Sequence, residues 1–285
     1  MSSWRPDSPV ELLDGTLCCK AHHRVYCVEC CVDYSFMQDS CDENEDSSDE
    51  DSSDQTTGFS LPPVSPTELA VSEHPGSITR IMRFSPSKST DTPQTLFAQG
   101  HRFICRSNQK HILIYTDGAC LNNGQPSATA GCAFVFRPSS SAASINGTVS
   151  FRLETQGPSG AVYPQTSNRA ELRAVIAALQ FRCWYGEGWT QLVIATDSEY
   201  VVSGATEWVQ SWVRNGWLTS KNTPVKNRDL WELLLQEVQR SERSLRVVFW
   251  RIPREWNQVA DRGAKEAAAE RDGPKEYCKI HGFLV

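Results

Sequence analysis

The chain has 285 residues, 39% of them hydrophobic and 22% charged, enough apolar material for one sizeable core and a second small module. No run of about 18 or more apolar residues exists, so no transmembrane helix is expected. The opening Met1-Ser2-Ser3-Trp4-Arg5-Pro6-Asp7 lacks the charged-then-apolar layout of a secretory signal, so a nuclear or cytoplasmic protein without membrane contact is expected. The net charge of -6 conceals an uneven balance: residues 1–100 carry 6 basic and 17 acidic side chains, residues 101–285 carry 22 and 17. A mildly basic half behind an acidic head permits a polyanionic partner, although a charge of this size also serves ordinary solubility.

Six of the 11 cysteines fall within residues 18–41. Cys19-Lys20-Ala21-His22 and Cys27-Val28-Glu29-Cys30 place thiols and an imidazole at short paired spacings that suit tetrahedral Zn²⁺. The expected ligands are Cys19, His22, Cys27 and Cys30, with Cys18, His23 and Cys31 as alternatives one residue away. In so short a segment, bound zinc would be the main source of folding energy. A tail with chance cysteines and a redox-active thiol cluster are the competing readings. The neighbouring acids favour a protein partner over nucleic acid for this head. Cys105, Cys120, Cys132, Cys183 and Cys278 read as free thiols, mostly small core residues.

After Cys41, residues 42–54 contain no apolar and no basic side chain, so they cannot bury a core and are expected to be disordered. From Gln55 to about Lys110 the chain is rich in Pro, Ser and Thr and reads as a linker, docking near Phe103-Ile104. The predicted organisation is a Cys/His head over 1–41, a linker over 42–109, a globular domain over 110–272 and a C-terminal tail over 273–285.

Within the domain, Ile112–Thr116 reads as a buried strand, Ala130–Arg137 as a second and Thr148–Leu153 as a third. Leu172, Val175, Ile176 and Leu179 fall at helical spacing behind the cap candidates Ser167 and Asn168. Gln191–Thr196 is a fourth strand. Helices are expected around Ala205–Arg214 and over Arg228–Gln239, then a fifth strand over Leu245–Trp250 and a last, Ala-rich helix over Asn257–Arg271. That order predicts an α/β fold with a mixed five-stranded sheet flanked by helices, plus the small zinc-binding segment.

Four acids in this domain stand in settings that suit metal ligands. Asp117 closes an apolar run, Glu171 opens a helix, Asp197 ends an apolar run and Asp261 precedes Ala264 and Ala268 at helical spacing. Singly, each is better read as a turn residue, a cap, a helix-dipole charge or a solvated charge. Jointly, strand-end acids facing helix acids would make an anionic pocket, and four uncompensated carboxylates would raise one another's pKa values. Hard divalent cations such as Mg²⁺ or Mn²⁺ remove that conflict and catalyse phosphodiester cleavage in pairs.

Tyr115-Thr116-Asp117-Gly118-Ala119-Cys120, Thr166-Ser167-Asn168-Arg169-Ala170-Glu171-Leu172, Ala195-Thr196-Asp197-Ser198 and Ala260-Asp261 resemble the type 1 ribonuclease H family, in order and spacing. The segment Trp208–Trp231 is similar to that family too. The resemblance covers roughly residues 110–272, in a fungal-looking variant with an N-terminal Cys/His-rich head. It implies a ribonuclease H fold, endonucleolytic hydrolysis of the RNA strand of RNA/DNA hybrids, and two Mg²⁺ or Mn²⁺ ions held by Asp117, Glu171, Asp197 and Asp261. By the same resemblance Asn123 and Asn168, helped by Cys120, would lie near 2′-hydroxyls, matching a group that both donates and accepts. Thr166 and Asn227 would hold a DNA phosphate, while Tyr200, Trp208, Trp212 and Ser220 would line the DNA-strand channel. The four-residue spacing of Trp208 and Trp212 also fits core packing on one helix face.

Two departures stand out. The loop before the fourth acid, residues 251–256, has no His where the family usually carries one, which implies reduced turnover with Glu255 as a partial substitute. The substrate-handling protrusion carries only Arg214, Lys221, Lys226 and Arg228, so hybrid affinity would be weaker and salt-sensitive. A monomer is expected. The alternative to an active hybrid nuclease is a catalytically weak or inactive module of this fold that binds nucleic acid or protein.

Overall fold

The computed structural model describes residues 80–139, 147–241 and 244–282, together with the backbone of four two-residue strands nearer the N-terminus. The chain divides into two compact units, Met1–Ile78 and Thr79–Val285. In the first, β1 (Val10–Glu11) pairs antiparallel with β2 (Leu17–Cys18), and β3 (Tyr26–Cys27) with β4 (Val32–Asp33). Cys19, His22, Cys30 and the side chain of Cys27 lie outside the described residues, as does the acidic run.

The second unit begins earlier than the expected domain. Its first elements are β5 (Met82–Arg83), the short helix α1 (Pro93–Leu96), β6 (Phe97–Gln99) and β7 (Phe103–Cys105). Then come β8 (His111–Leu121), β9 (Thr129–Val135), β10 (Thr148–Arg152), α2 (Ser167–Gln180), β11 (Gln191–Thr196), α3 (Glu199–Ser203) and α4 (Val209–Arg214). The chain closes with α5 (Arg228–Ser241), β12 (Arg246–Arg251) and α6 (Gln258–Ala269). The principal strand order is β10-β9-β8-β11-β12-β5, with β6 and β7 attached beside β8. Pairings are antiparallel from β10 to β8 and parallel from β8 through β11 and β12 to β5, a mixed sheet.

Both faces of the central strands are buried, which is why they read as unbroken apolar runs. Successive side chains alternate between two cores. Ile112, Ile114, Leu192, Ile194, Val247 and Phe249 face a core shared with Leu172, Val175, Ile176, Leu230, Trp231 and Leu234. Leu113, Val193, Ala195, Val248 and Trp250 face the other, shared with Phe97, Phe103 and Ala260. This second core corrects the linker expected to run to residue 109. Residues 80–109 are ordered, because Phe84 and Phe97 pack their rings 5.0 and 6.4 Å from Trp250. Thr92 and Thr95 close a capping box that starts α1, with Pro93 just inside it.

Further expectations are adjusted. β8 runs on past Thr116 to Leu121, so Asp117 is an interior strand residue paired with Ala133, and Asp117-Gly118 is no turn. The cap of α2 is Thr166, whose hydroxyl accepts from the Arg169 amide; neither Ser167 nor Asn168 caps it. The helix expected around Ala205–Arg214 starts at Glu199 and passes through a π-helical turn over Gly204–Trp208. Gly204 sits there because any Cβ would overlap the Trp231 ring. Residues 273–282 are part of the domain: the Gln156 amide donates to Lys275 O (2.8 Å), the Gly282 amide to Phe181 O (2.8 Å) and Arg173 Nη2 to Cys278 O (2.6 Å). Among the described residues no helix is long and apolar enough to cross a membrane.

Candidate active site

Two of the four acids, Asp117 and Glu171, lie where α2 crosses β8. At Gly118 a Cβ would overlap the Glu171 amide nitrogen and the Ala170 carbonyl carbon, so only glycine lets the helix lie directly on the strand. That contact sets Glu171 beside Asp117. Asp197 follows the last residue of β11, the parallel neighbour of β8. α6 brings Asp261 in from the other side, its small residues Ala264, Ala267 and Ala268 lying against Gly131 of β9, where a Cβ would overlap helix backbone. Gly118→Ala is expected to cost about 1–3 kcal/mol of stability by overpacking. Urea denaturation of that variant checks this; a wild-type value would refute the close-contact argument.

Electrostatics couple the cluster. Asp117, 5% exposed, has its carboxyl raised to about 8, first by burial, then by Asp197, Asp261 and Glu171, with the Gly118 amide opposing. Glu171 is raised to about 7 by burial and Asp197, against the opposing hydrogen bond from Ser198 and charge of Arg254. Asp261 is shifted the other way. Burial pushes it up, but Lys265 and Arg254 together outweigh that and hold it below the usual range.

Neighbouring side chains orient these acids. Ser198 Oγ donates to Glu171 Oε2 (2.5 Å) while accepting the Val201 amide (3.2 Å), so one hydroxyl caps α3 and fixes the acid. Asn257 occupies the cap position of α6 without capping it. Its Nδ2 donates to Asp197 Oδ1 (2.8 Å) and to Thr116 O (3.0 Å). Arg254 Nη2 and Lys265 Nζ donate to the two oxygens of Asp261 at 2.6 and 2.7 Å. No hydrogen bond or ion pair joins Glu255 to the acids; Arg254 is the residue of that loop which reaches them. Sequence reading missed Ser198, Asn257, Arg254 and Lys265. Asn257 reads as an ordinary helix cap, and only the fold reveals that its amide is used elsewhere.

The donor set suits a hard cation: four carboxylates, one raised to about 8 by burial and its acidic neighbours, and the buried Asn257 Oδ1 without a hydrogen-bond partner. As the side chains stand, no three His, Cys, Asp or Glu among the described residues are gathered closely enough to form a cation site. The two observations differ because charge coupling reaches several ångströms while coordination needs roughly 2.0–2.6 Å.

The remaining expected site residues surround this cluster. Cys120 is half-buried at the end of β8, its thiol on Gln165 O (3.5 Å), and Asn123 is exposed in the following turn. Thr166 caps α2 and Asn168 is exposed in its first turn. Tyr200 is committed internally, its hydroxyl accepting from Asn227 Nδ2 (3.2 Å) and Trp231 Nε1 (2.9 Å). Arg169, paired with Asp229 at 2.6 Å, donates to Asn227 Oδ1 (3.4 Å). Trp208 is 38% exposed and lies 5.8 Å from Trp212, which packs 5.4 Å from the fully buried Trp231. The pair is therefore a ladder leading from core to surface. Ser220 is exposed in the protrusion.

The RNase H family model matches residues 109–269. Ribonuclease H of Treponema pallidum subsp. pallidum is 40% identical over 157 residues, spanning 55% of this chain and 90% of the relative. Ribonuclease H of Zymomonas mobilis subsp. mobilis is 35% identical over 162 residues, 57% of this chain and 91% of the relative. The solution structure of the PFV RNase H domain is similar over 55% of this chain and 93% of that one, at 21% identity and a TM-score of 0.41.

Proposed function

From the premise that this chain belongs to the RNase H family, we propose that it is a ribonuclease H, an endoribonuclease that cleaves the RNA strand of RNA/DNA hybrids. The observation that carries this reading is the α2–β8 contact at Gly118, which sets Glu171 beside Asp117, whose carboxyl is raised to about 8 by burial and then by the charges of Asp197, Asp261 and Glu171. A catalytically weak binding module is not favoured, since all four acids are present and the relatives are named as ribonucleases H.

Asp117, Glu171, Asp197 and Asp261 would hold two Mg²⁺ or Mn²⁺ ions. Bound there, such ions supply Lewis acidity to activate water and stabilise the leaving oxygen. Ser198 and Asn257 keep Glu171 and Asp197 in fixed orientations, which limits the reorganisation needed as the reaction proceeds. Asn123, Asn168 and Cys120 would meet the RNA side. The Thr166 hydroxyl, already accepting the Arg169 amide, keeps its own O–H to donate to a DNA phosphate beside Asn227. Tyr200 acts through Asn227, Trp208 offers a ring face to the DNA strand with Trp212 bracing it, and Ser220 lies at the channel rim. With purified protein and Mg²⁺ or Mn²⁺ at low salt, hybrid is expected to be cut while duplex RNA and duplex DNA stay intact. Intact hybrid would refute the enzyme reading.

Residence in the nucleus or cytoplasm, a monomeric state, a fungal type of variant and a head joined by a linker to the domain, with the boundaries corrected above, belong to the same proposal. So does zinc on Cys19, His22, Cys27 and Cys30, docking a protein partner; the paired Cys/His spacing supports it. About one zinc per chain, lost in Cys27→Ser, is expected by atomic absorption, and a zinc-free preparation of folded protein would count against it.

A further inference from the structure

Alone among the four acids, Asp261 has both carboxylate oxygens bound by cationic side chains. Arg254 reaches Oδ1 from the one-turn helix over Arg254–Trp256, and Lys265 reaches Oδ2 from one turn further along α6. Arg254 is also coupled electrostatically to Asp197 and Asp117, and Glu171 feels its charge. Its charge thus acts on the same anionic cluster that a divalent cation would neutralise. A cation ligand must offer free oxygen lone pairs at roughly 2.0–2.6 Å, and here a guanidinium and an ammonium use them. Both cations are more than half exposed, at 67% and 53%, so they can leave for water at little cost.

Resting on the reading of Asp261 as a cation ligand, we propose that Arg254 and Lys265 form a counter-ion clamp that must be displaced from Asp261 before Mg²⁺ binds there. Metal binding is then an exchange of cations. Arg254 is a positioning residue, acting on the reaction through Asp261. A guanidinium stays charged at all accessible pH, so rising pH does not open the clamp as it would discharge a histidine; the incoming dication does.

The test is a Mg²⁺ titration of the EDTA-stripped full chain, followed by thermal unfolding, for wild type, Arg254→Gln, Arg254→Lys, Lys265→Gln and the control Arg251→Gln. Arg251 is an exposed cation in the same loop, paired with Glu199 at 2.5 Å. Arg254→Gln and Lys265→Gln are expected to lower the half-saturating Mg²⁺ concentration about 2- to 5-fold, the worth of an exposed ion pair of up to about 1 kcal/mol. Arg254→Lys should stay near wild type and Arg251→Gln should not move. Unchanged midpoints in both clamp variants overturn the clamp alone. An equal shift in Arg251→Gln also overturns it, by showing a general field effect. A wild type without any Mg²⁺-dependent shift overturns the metal reading, and the clamp with it.

Discussion

Asp117→Asn is expected to abolish hybrid cleavage and, in EDTA at neutral pH, to leave a protein more stable than wild type. The activity loss should exceed about 100-fold, the upper range for removing a mere outer-shell partner of a metal ligand. The gain in stability follows from linkage. The folded Asp117 carboxyl sits at about 8 against an ordinary value of 3.8. A folded pKa raised above the unfolded one gives a contribution that is full below about pH 4 and lost as pH rises through 8. By pH 7 the wild type has forfeited on the order of a few kcal/mol. Asparagine resembles the neutral acid and has nothing to lose. Mg²⁺ should reverse the order by stabilising wild type more than the variant. Urea unfolding at pH 5 and pH 7, with and without Mg²⁺, measures the stability effects, and a hybrid cleavage assay the activity; an asparagine variant weaker than wild type at pH 7 in EDTA would contradict the account of a carboxyl raised by burial and its acidic neighbours. Asp197→Asn should likewise be inactive.

Glu154→Ala is expected to cost about 3–5 kcal/mol, the largest stability loss of any single charge in the domain. The Arg173 and Glu154 side chains are 0% and 2% exposed and meet at 2.7 Å. Arg173 also donates to Cys278 O (2.6 Å) and lies between the rings of Phe151 and Tyr277, 4.9 and 4.5 Å from their centroids. Losing Glu154 strands a guanidinium in the core. The Cys278 amide loses its acceptor too (3.4 Å), so hydrogen exchange should rise over residues 275–282 before it rises in β8. Replacing both partners, Glu154→Leu with Arg173→Met, should recover most of the loss, because a well-packed apolar pair needs no counter-charge. A loss below 1 kcal/mol for Glu154→Ala would show that water reaches the pair.

The candidate acids could be picked from the chain itself, because Asp117, Glu171, Asp197 and Asp261 each carry a local signature of flanking residues. The central strands were equally legible: they are buried on both faces, and unbroken apolar runs such as Ile112–Ile114 and Leu192–Ala195 follow directly. Residues 80–106 and 273–282 were not. Their strands are two or three residues long or absent, too short for any periodicity to register. They gain order only by burying Phe84 and Phe97 on Trp250, and by clamping Cys278 to Arg173, on surfaces built from distant parts of the chain. The sequence by itself determined which acids are present, their strands and helices, and the family they mark. Tertiary structure alone decided that Asn257 braces Asp197, that Ser198 ties down Glu171 and that Arg254 and Lys265 hold Asp261. A side chain's hydrogen-bond partner 60 residues away is set by how helices pack on the sheet, and no local pattern of residues encodes it.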